Sequence, residues 1–215
     1  MKQRKYLTSD EVFSLLQEAE NKITSHRDYC MIYMTYIHGL RASELTGLTL
    51  SDYDPLSRKL RITRLKGGFN TIHPVIEEEH HLLQRWLTER KRYVQQDVPW
   101  LFITRKGQRL SRQRVYTLVR QYGDAAQLPV RVHPHMLRHA CGYSLAERGN
   151  DTRLIQDYLG HRNIRHTVIY TASNAERFHV AWNGESGFED MEKEPTSSNP
   201  TVTSISHRLR QGGKN

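Results

Sequence analysis

Cysteine is scarce: the 215 residues hold two, Cys30 and Cys141, each inside an apolar helical stretch and neither with a Cys-x-x-Cys partner. That argues against a disulfide framework or a thiolate zinc site and leaves two small core residues, consistent with a reducing cytosol. Long apolar runs are missing too, with nothing near the ~20 residues a membrane span requires. The charged start Met1-Lys2-Gln3-Arg4-Lys5-Tyr6 runs straight into a helix signal without the apolar region of a signal peptide. A cytoplasmic protein with no membrane partner is expected. Acidic residues are the minority, 23 against 32 Lys+Arg, for a net charge of +9. Such an excess points to a polyanionic partner, although charge speaks to association and not to fold.

The pattern of what is present predicts an α+β fold, mainly α, with a helical core and a small antiparallel sheet at its edge. Thr8-Ser9-Asp10-Glu11 has the form of a capping box, and Val12, Leu15, Leu16 and Ala19 come after it at helical spacing, predicting a helix over 10–20. A second, too apolar all round for a surface helix, runs over 25–37 and stops at Gly39; a short third covers 42–48. Alternation over 59–64 and a β-like run over 70–75, joined by Lys66-Gly67-Gly68-Phe69-Asn70, predict a hairpin with Lys66 at its tip. Further helices are expected over 77–94, from the Ser111 cap to 126, from Pro134 to 148, over 151–159 and over 164–172, with a third strand over 100–104. From 183 onward the composition turns to Ser, Asn, Pro and Gly with scattered charge, read as a disordered tail after a single domain over 1–182. The tail carries four basic and five acidic residues, so the basicity belongs to the domain.

The stretch from His133 to Tyr170 concentrates the chemistry. His135, Arg138 and His139 stand three and four apart and share one helical face. Leu159-Gly160-His161-Arg162 and Ile169-Tyr170 come next, and a second singular arginine, Arg41, lies upstream in Gly39-Leu40-Arg41-Ala42-Ser43-Glu44-Leu45. Two guanidinium groups can hold the non-bridging oxygens of a phosphodiester and remain charged at any relevant pH. Placed beforehand, they stabilise the charge that builds when an oxygen nucleophile attacks, and a tyrosine can conserve the broken bond as a covalent intermediate. The leaving alkoxide needs a proton, which a lysine or histidine can supply.

His135-x-x-Arg138, Leu159-Gly160-His161 and Tyr170, preceded by Gly39-Leu40-Arg41-x-Ser43-Glu44-Leu45, resemble the tyrosine recombinases, also called the phage integrase family. The resemblance runs from about Leu7 to Ala181. Within the family, the words from His133 to Tyr143 and from Arg153 to Thr167 look most like the short bacterial recombinases that invert a fimbrial promoter element in phase variation. The resemblance implies that Tyr170 attacks the phosphate and becomes linked to the DNA 3′ end, that Arg41 and Arg138 clamp the oxygens with His161 adding a hydrogen bond, that Lys66 is the acid for the 5′-oxygen and that His135 is the general acid/base toward the tyrosine. It also implies no cofactor and no metal, inverted-repeat DNA sites, a Holliday junction held by a homotetramer, and possible help from DNA-bending accessory proteins. Most integrases carry a separate helical core-binding domain before the catalytic one, whereas only about six residues precede the first helix here; the short fimbrial group shares that economy.

Simpler readings compete with these. Arg41 alone would read as a salt-bridge partner of Glu44, Lys66 as a solvated hairpin lysine near Arg64, and Tyr158 as packing. His133 and His139 are assigned to packing and hydrogen bonding. His135-x-x-x-His139 has metal-ligand spacing, but no carboxylate accompanies it and a guanidinium beside a divalent cation is repulsive, so no metal site is expected. Arg162, Arg165 and His166 are expected at backbone phosphates, and Arg112, Arg114 and Arg120 as groove or phosphate contacts. The same chemistry would serve integration or excision of a mobile element, or a type IB topoisomerase, and a DNA-binding regulator without catalysis is the contrasting class.

Overall fold

The computed structural model describes residues 4–21, 25–65, 67–94 and 97–172. Eight helices and a three-stranded antiparallel sheet make up this region: α1 (Ser9–Glu20), α2 (Ser25–Ile37), α3 (Ala42–Leu45), β1 (Tyr53–Asp54), β2 (Lys59–Ile62), β3 (Thr71–Pro74), α4 (Glu77–Arg90), α5 (Arg112–Ala125), α6 (Pro134–Glu147), α7 (Thr152–Leu159) and α8 (Arg165–Thr171). The capping box forms as its spacing dictates: the Glu11 amide donates to Thr8 Oγ1 and the Thr8 amide to Glu11 Oε2. α2 runs through the middle, with Cys30, Met31, Ile32 and Met34 fully buried, and packs against α1, α4 and α6. The Trp86 indole of α4 is fully buried and donates to the Leu101 carbonyl at 3.0 Å. No helix of the described residues is long and apolar enough to cross a membrane.

The sheet order is β1-β2-β3, with Leu60 opposite His73 and Ile62 opposite Thr71. Leu60 and Ile62 face the core while their neighbours face out, the alternation the sequence carries. The third strand is not the expected 100–104 segment. Leu101, Phe102 and Ile103 are core residues of an irregular run that makes only isolated bridges, Thr49 with Trp100 and Ile103 with Arg109. The hairpin is extended instead by the two residues of β1, too short for any alternation to announce. α4 ends at Arg90, short of the expected 94, where the guanidinium turns back to the Val98 and Trp100 carbonyls. The tail expected over 183–215 lies outside the described residues.

Candidate active site

One buried carboxylate organises the arginines. Arg41 is the N-cap of α3, and its amide donates to Glu44 Oε2 at 2.9 Å while its Nη1 donates to Oε1 at 2.6 Å. Arg64, two residues past β2, reaches Oε2 at 3.0 Å, and Arg138 of α6 lies 3.8 Å from the same oxygen. The salt bridge read for Arg41 alone therefore exists, but its partner is shared. Three guanidinium groups face one carboxylate, leaving a surplus of positive charge beside the partly exposed Arg41. Burial alone would push the Glu44 carboxyl up; Arg64, the Arg41 amide and Arg138 outweigh it and hold the group below its ordinary value.

The arginines are also held by carbonyls at the ends of α2 and α7. Arg64 donates to the His38, Gly39 and Tyr158 carbonyls, and Arg138 to those of Gly39 and Leu159. Burial, with Arg41 and Arg64 nearby, lowers Arg138 to about 10, which still leaves it charged at neutral pH. The chain reverses after α7 at Gly160, in the left-handed region at φ 64°, where a Cβ would lie 2.8 Å from Arg64 Cγ and 2.9 Å from the Phe69 carbonyl. A side chain at 160 would push the hairpin off the arginine cluster.

Tyr170, near the end of α8, is 2% exposed. Its hydroxyl lies 3.0 Å from His139 Nδ1, and the His135 ring stands edge-on to His139 with centroids 4.6 Å apart. The imidazole at the phenol is thus His139, given to packing and hydrogen bonding from sequence, with His135 behind it. The signal was present in the shared face of 135, 138 and 139, but spacing could not rank the two rings. Burial pushes the Tyr170 phenol up to about 12 against the pull of Arg138. His139 is lowered, chiefly by burial and then by Arg138, and His135 is lowered to about 4 by desolvation and by the His139 and Arg138 charges. A protonated phenol therefore sits against a neutral imidazole at neutral pH. His161, buried, meets Thr167 Oγ1 through Nδ1 at 2.9 Å, and its ring stacks at 6.4 Å from Tyr170.

Gly142, inside α6, gives the tyrosine ring its place: a Cβ there would lie 2.6 Å from Tyr170 Cε2 and Cζ. Gly to Ala in a helix interior ordinarily stabilises by about 1 kcal/mol. Here Gly142→Ala is expected to displace Tyr170 and cut the rate of covalent DNA attachment by about 10²-fold, with DNA affinity preserved. Single-turnover assays beside binding titrations check this, and an unchanged rate would mean the ring position is immaterial.

The other predicted residues are more dispersed. Lys66 lies outside the described residues; its neighbour Gly67 is at the hairpin turn, where a Cβ would be 3.3 Å from Arg162 Nη1. Arg162 thus sits against the turn, and Arg165 is exposed on the first turn of α8. Arg120 lines a groove of about 910 Å³ together with Tyr116, Arg131, His133 and His135. Arg4 and Lys5, basic residues not singled out from sequence, line it too. Arg112 borders a neighbouring opening with Gln113, whereas Arg114 faces another with Arg105 and Lys106. Two residues apart on a helix means about 200° around its axis, so Arg112 and Arg114 cannot serve one surface.

Two buried imidazoles bear on stability. Burial lowers His161 to about 3, with Arg138 adding to it, and lowers His73 of β3 to about 2, with His38 and Arg64 adding. Unfolding returns both toward the ordinary value of about 6.5. Because the folded values lie below the unfolded ones, stability is complete above pH of about 6.5 and is lost as pH falls toward the folded values. The melting temperature followed by circular dichroism is expected to fall steadily from about pH 6.5 to about pH 4; a flat profile would contradict neutral burial of these rings.

A buried phenol, an imidazole at its hydroxyl and guanidinium groups gathered on one carboxylate stand together here, groups whose chemistry suits holding and attacking a phosphodiester. The chain belongs to the phage integrase family, which it matches over residues 5–177. It is 52% identical over 183 residues to the type 1 fimbriae regulatory protein FimE of Escherichia coli (strain K12), covering 85% of this chain and 92% of that one. It is 49% identical over 186 residues to FimB of the same strain, with 86% and 93% covered. Among solved structures, the XerH site-specific recombinase bound to palindromic difH substrate in a post-cleavage complex superposes with a TM-score of 0.70 at 25% identity, covering 82% of this chain. The present chain spans about half of XerH, 52% of its length.

Proposed function

We propose that this site-specific tyrosine recombinase cleaves and rejoins double-stranded DNA at inverted-repeat sites, inverting a promoter element that controls fimbrial expression. The observation that carries the reading is the Tyr170 hydroxyl at 3.0 Å from His139 Nδ1, beside the arginines gathered on Glu44. The fimbrial regulators FimE and FimB, matched over nearly their whole length, support the biological setting, and the DNA-bound XerH supports recombination sites as the substrate.

Each residue of the centre has its own task. The Tyr170 hydroxyl passes its proton to His139 as the oxygen attacks phosphorus, which lowers the barrier set by the raised phenol. Arg41 and Arg138 hold the non-bridging oxygens; of the five guanidinium donors of Arg138, those bound to carbonyls fix its position and the others serve the anion. With the Thr167 hydroxyl donating to Nδ1, neutral His161 keeps its proton on Nε2, a further donor to the phosphate. His135 backs His139 as the acid/base partner, and Lys66 protonates the departing 5′-oxygen. Attack of the partner strand's 5′-hydroxyl on the phosphotyrosine reverses the linkage and restores the phenol, so the bond energy is conserved. Residues 1–182 form the catalytic domain, four protomers hold the junction in the cytoplasm, and DNA-bending proteins assist synapsis. Arg112, Arg120, Arg162 and Arg165 contact the duplex, Arg120 from the groove beside His135, whereas Arg114 faces away from that groove with Arg105 and Lys106.

The test is a duplex nicked beside the cleavage point, incubated with protein in EDTA. A detergent-resistant protein–DNA complex is expected, with the nucleotide mapped by mass spectrometry to the peptide containing Tyr170. Attachment at another residue, or none on any inverted-repeat substrate, would overturn the assignment.

A further inference from the structure

Behind the arginine cluster lies a second buried polar group that the chemistry above does not use. His38, the residue after α2, bonds through Nδ1 to His73 Nδ1 of β3 at 3.0 Å and through Nε2 to Glu79 Oε1 of α4 at 2.6 Å. His38 and Glu79 are fully buried and His73 is 2% exposed. The His73 ring also packs on Tyr158 of α7, centroids 4.0 Å apart. Polar side chains so deep in a core cost stability unless bonded, and a chain joining four elements fixes their relative placement.

The placement matters because His38 opens the short connection that leads to the clamp. The carbonyls at this helix end are taken by side chains from elsewhere in the fold: Ile37 by the Tyr158 hydroxyl and Cys141 Sγ, His38 by Arg64, and Gly39 by Arg64 and Arg138. Arg41 comes two residues after Gly39. The same connection thus presents one clamp arginine and anchors the other, and the His38 side chain ties it from the far side. The hairpin is held twice as well, by Arg64 two residues past β2 and by His73 on β3.

We infer that the His73–His38–Glu79 relay is a positioning device for the arginine clamp, locking the α2–α3 connection and the hairpin in the arrangement that cleavage requires. Its members touch no reacting atom and act through Arg41, Arg64 and Arg138. The inference rests on the recombinase reading, which wild-type adduct formation checks separately.

Two replacements at Glu79 separate positioning from bulk. Glu79→Gln keeps an acceptor oxygen for His38 Nε2, whereas Glu79→Met keeps the volume and removes the acceptor. On the nicked duplex, Glu79→Met is expected to slow single-turnover cleavage about 10²-fold. Its DNA affinity should stay within about threefold of wild type, and Glu79→Gln should recover the rate to a similar margin. Cleavage at the wild-type rate by a folded Glu79→Met protein would overturn the inference. So would equal losses in both variants that track equal losses of melting temperature and DNA affinity, since the relay would then serve folding alone.

Discussion

Tyr170→Phe is expected to abolish the covalent protein–DNA complex, by at least about 10⁴-fold, while leaving fold and DNA binding in place. The ring keeps its seat: it is wedged against Gly142, meets Tyr143 edge-on at 5.1 Å and stacks near His161. Only the hydroxyl and its bond to His139 disappear, a loss of about 1 kcal/mol at a site where His139 can still reach solvent. Stability and chemistry should therefore separate cleanly, since the oxygen that forms the ester has no substitute at that position. Tyr143 packs edge-on to the same ring and is the nearest other phenol in that aromatic cluster. Denaturing gels with end-labelled nicked duplex, beside gel-shift titrations, check the prediction. Adduct formation by the variant, with Tyr143 or another residue attached, would show that the buried phenol is structural.

Removal of the Glu44 carboxylate is the second large effect. Glu44 is 4% exposed and pairs with Arg41 and Arg64 directly and with Arg138 at 3.8 Å, and it also accepts the Arg41 and Leu65 amides. Glu44→Ala would leave guanidinium groups facing one another in a desolvated cluster. Breaking a buried ion pair from one side costs about 3–5 kcal/mol, a large share of the roughly 5–15 kcal/mol that holds a domain together. The melting temperature is expected to fall by roughly 6–20 °C, with loss of adduct formation. Glu44→Gln should fall between, because it retains an acceptor for the amides but not the charge. Thermal melts of the three proteins decide the matter, and a Glu44→Ala midpoint within about 2 °C of wild type would show that the arginines do not need this carboxylate.

Helices were legible wherever one face is buried, because a 3.6-residue period writes itself into the apolar positions. α1 begins at its capping box and buries Val12, Leu15, Leu16 and Ala19 as spaced. α6 begins at Pro134 and α7 ends before Gly160, the punctuation expected of those residues. Strands were less so. Leu101, Phe102 and Ile103 have strand-like character because they are core, and their run pairs only in isolated bridges, while β1 is two residues long and takes its place only because β2 is beside it.

The order and spacing of motifs along the chain were enough to name the family, to gather Arg41, His135, Arg138, His161 and Tyr170 as one set, and to predict a polyanionic partner from the excess of positive charge. Local sequence carries such information because a motif fixes residue types and the helical period fixes their faces. It took the tertiary structure to decide that His139 and not His135 meets the phenol, that Arg64 joins Arg41 and Arg138 at Glu44, and that a buried relay stands behind them. Those outcomes depend on atoms 20 to 94 residues apart in sequence meeting to within a hydrogen bond, as Glu44 meets Arg64 and Arg64 meets Tyr158. Packing of whole elements sets such distances, and no period within one element encodes them.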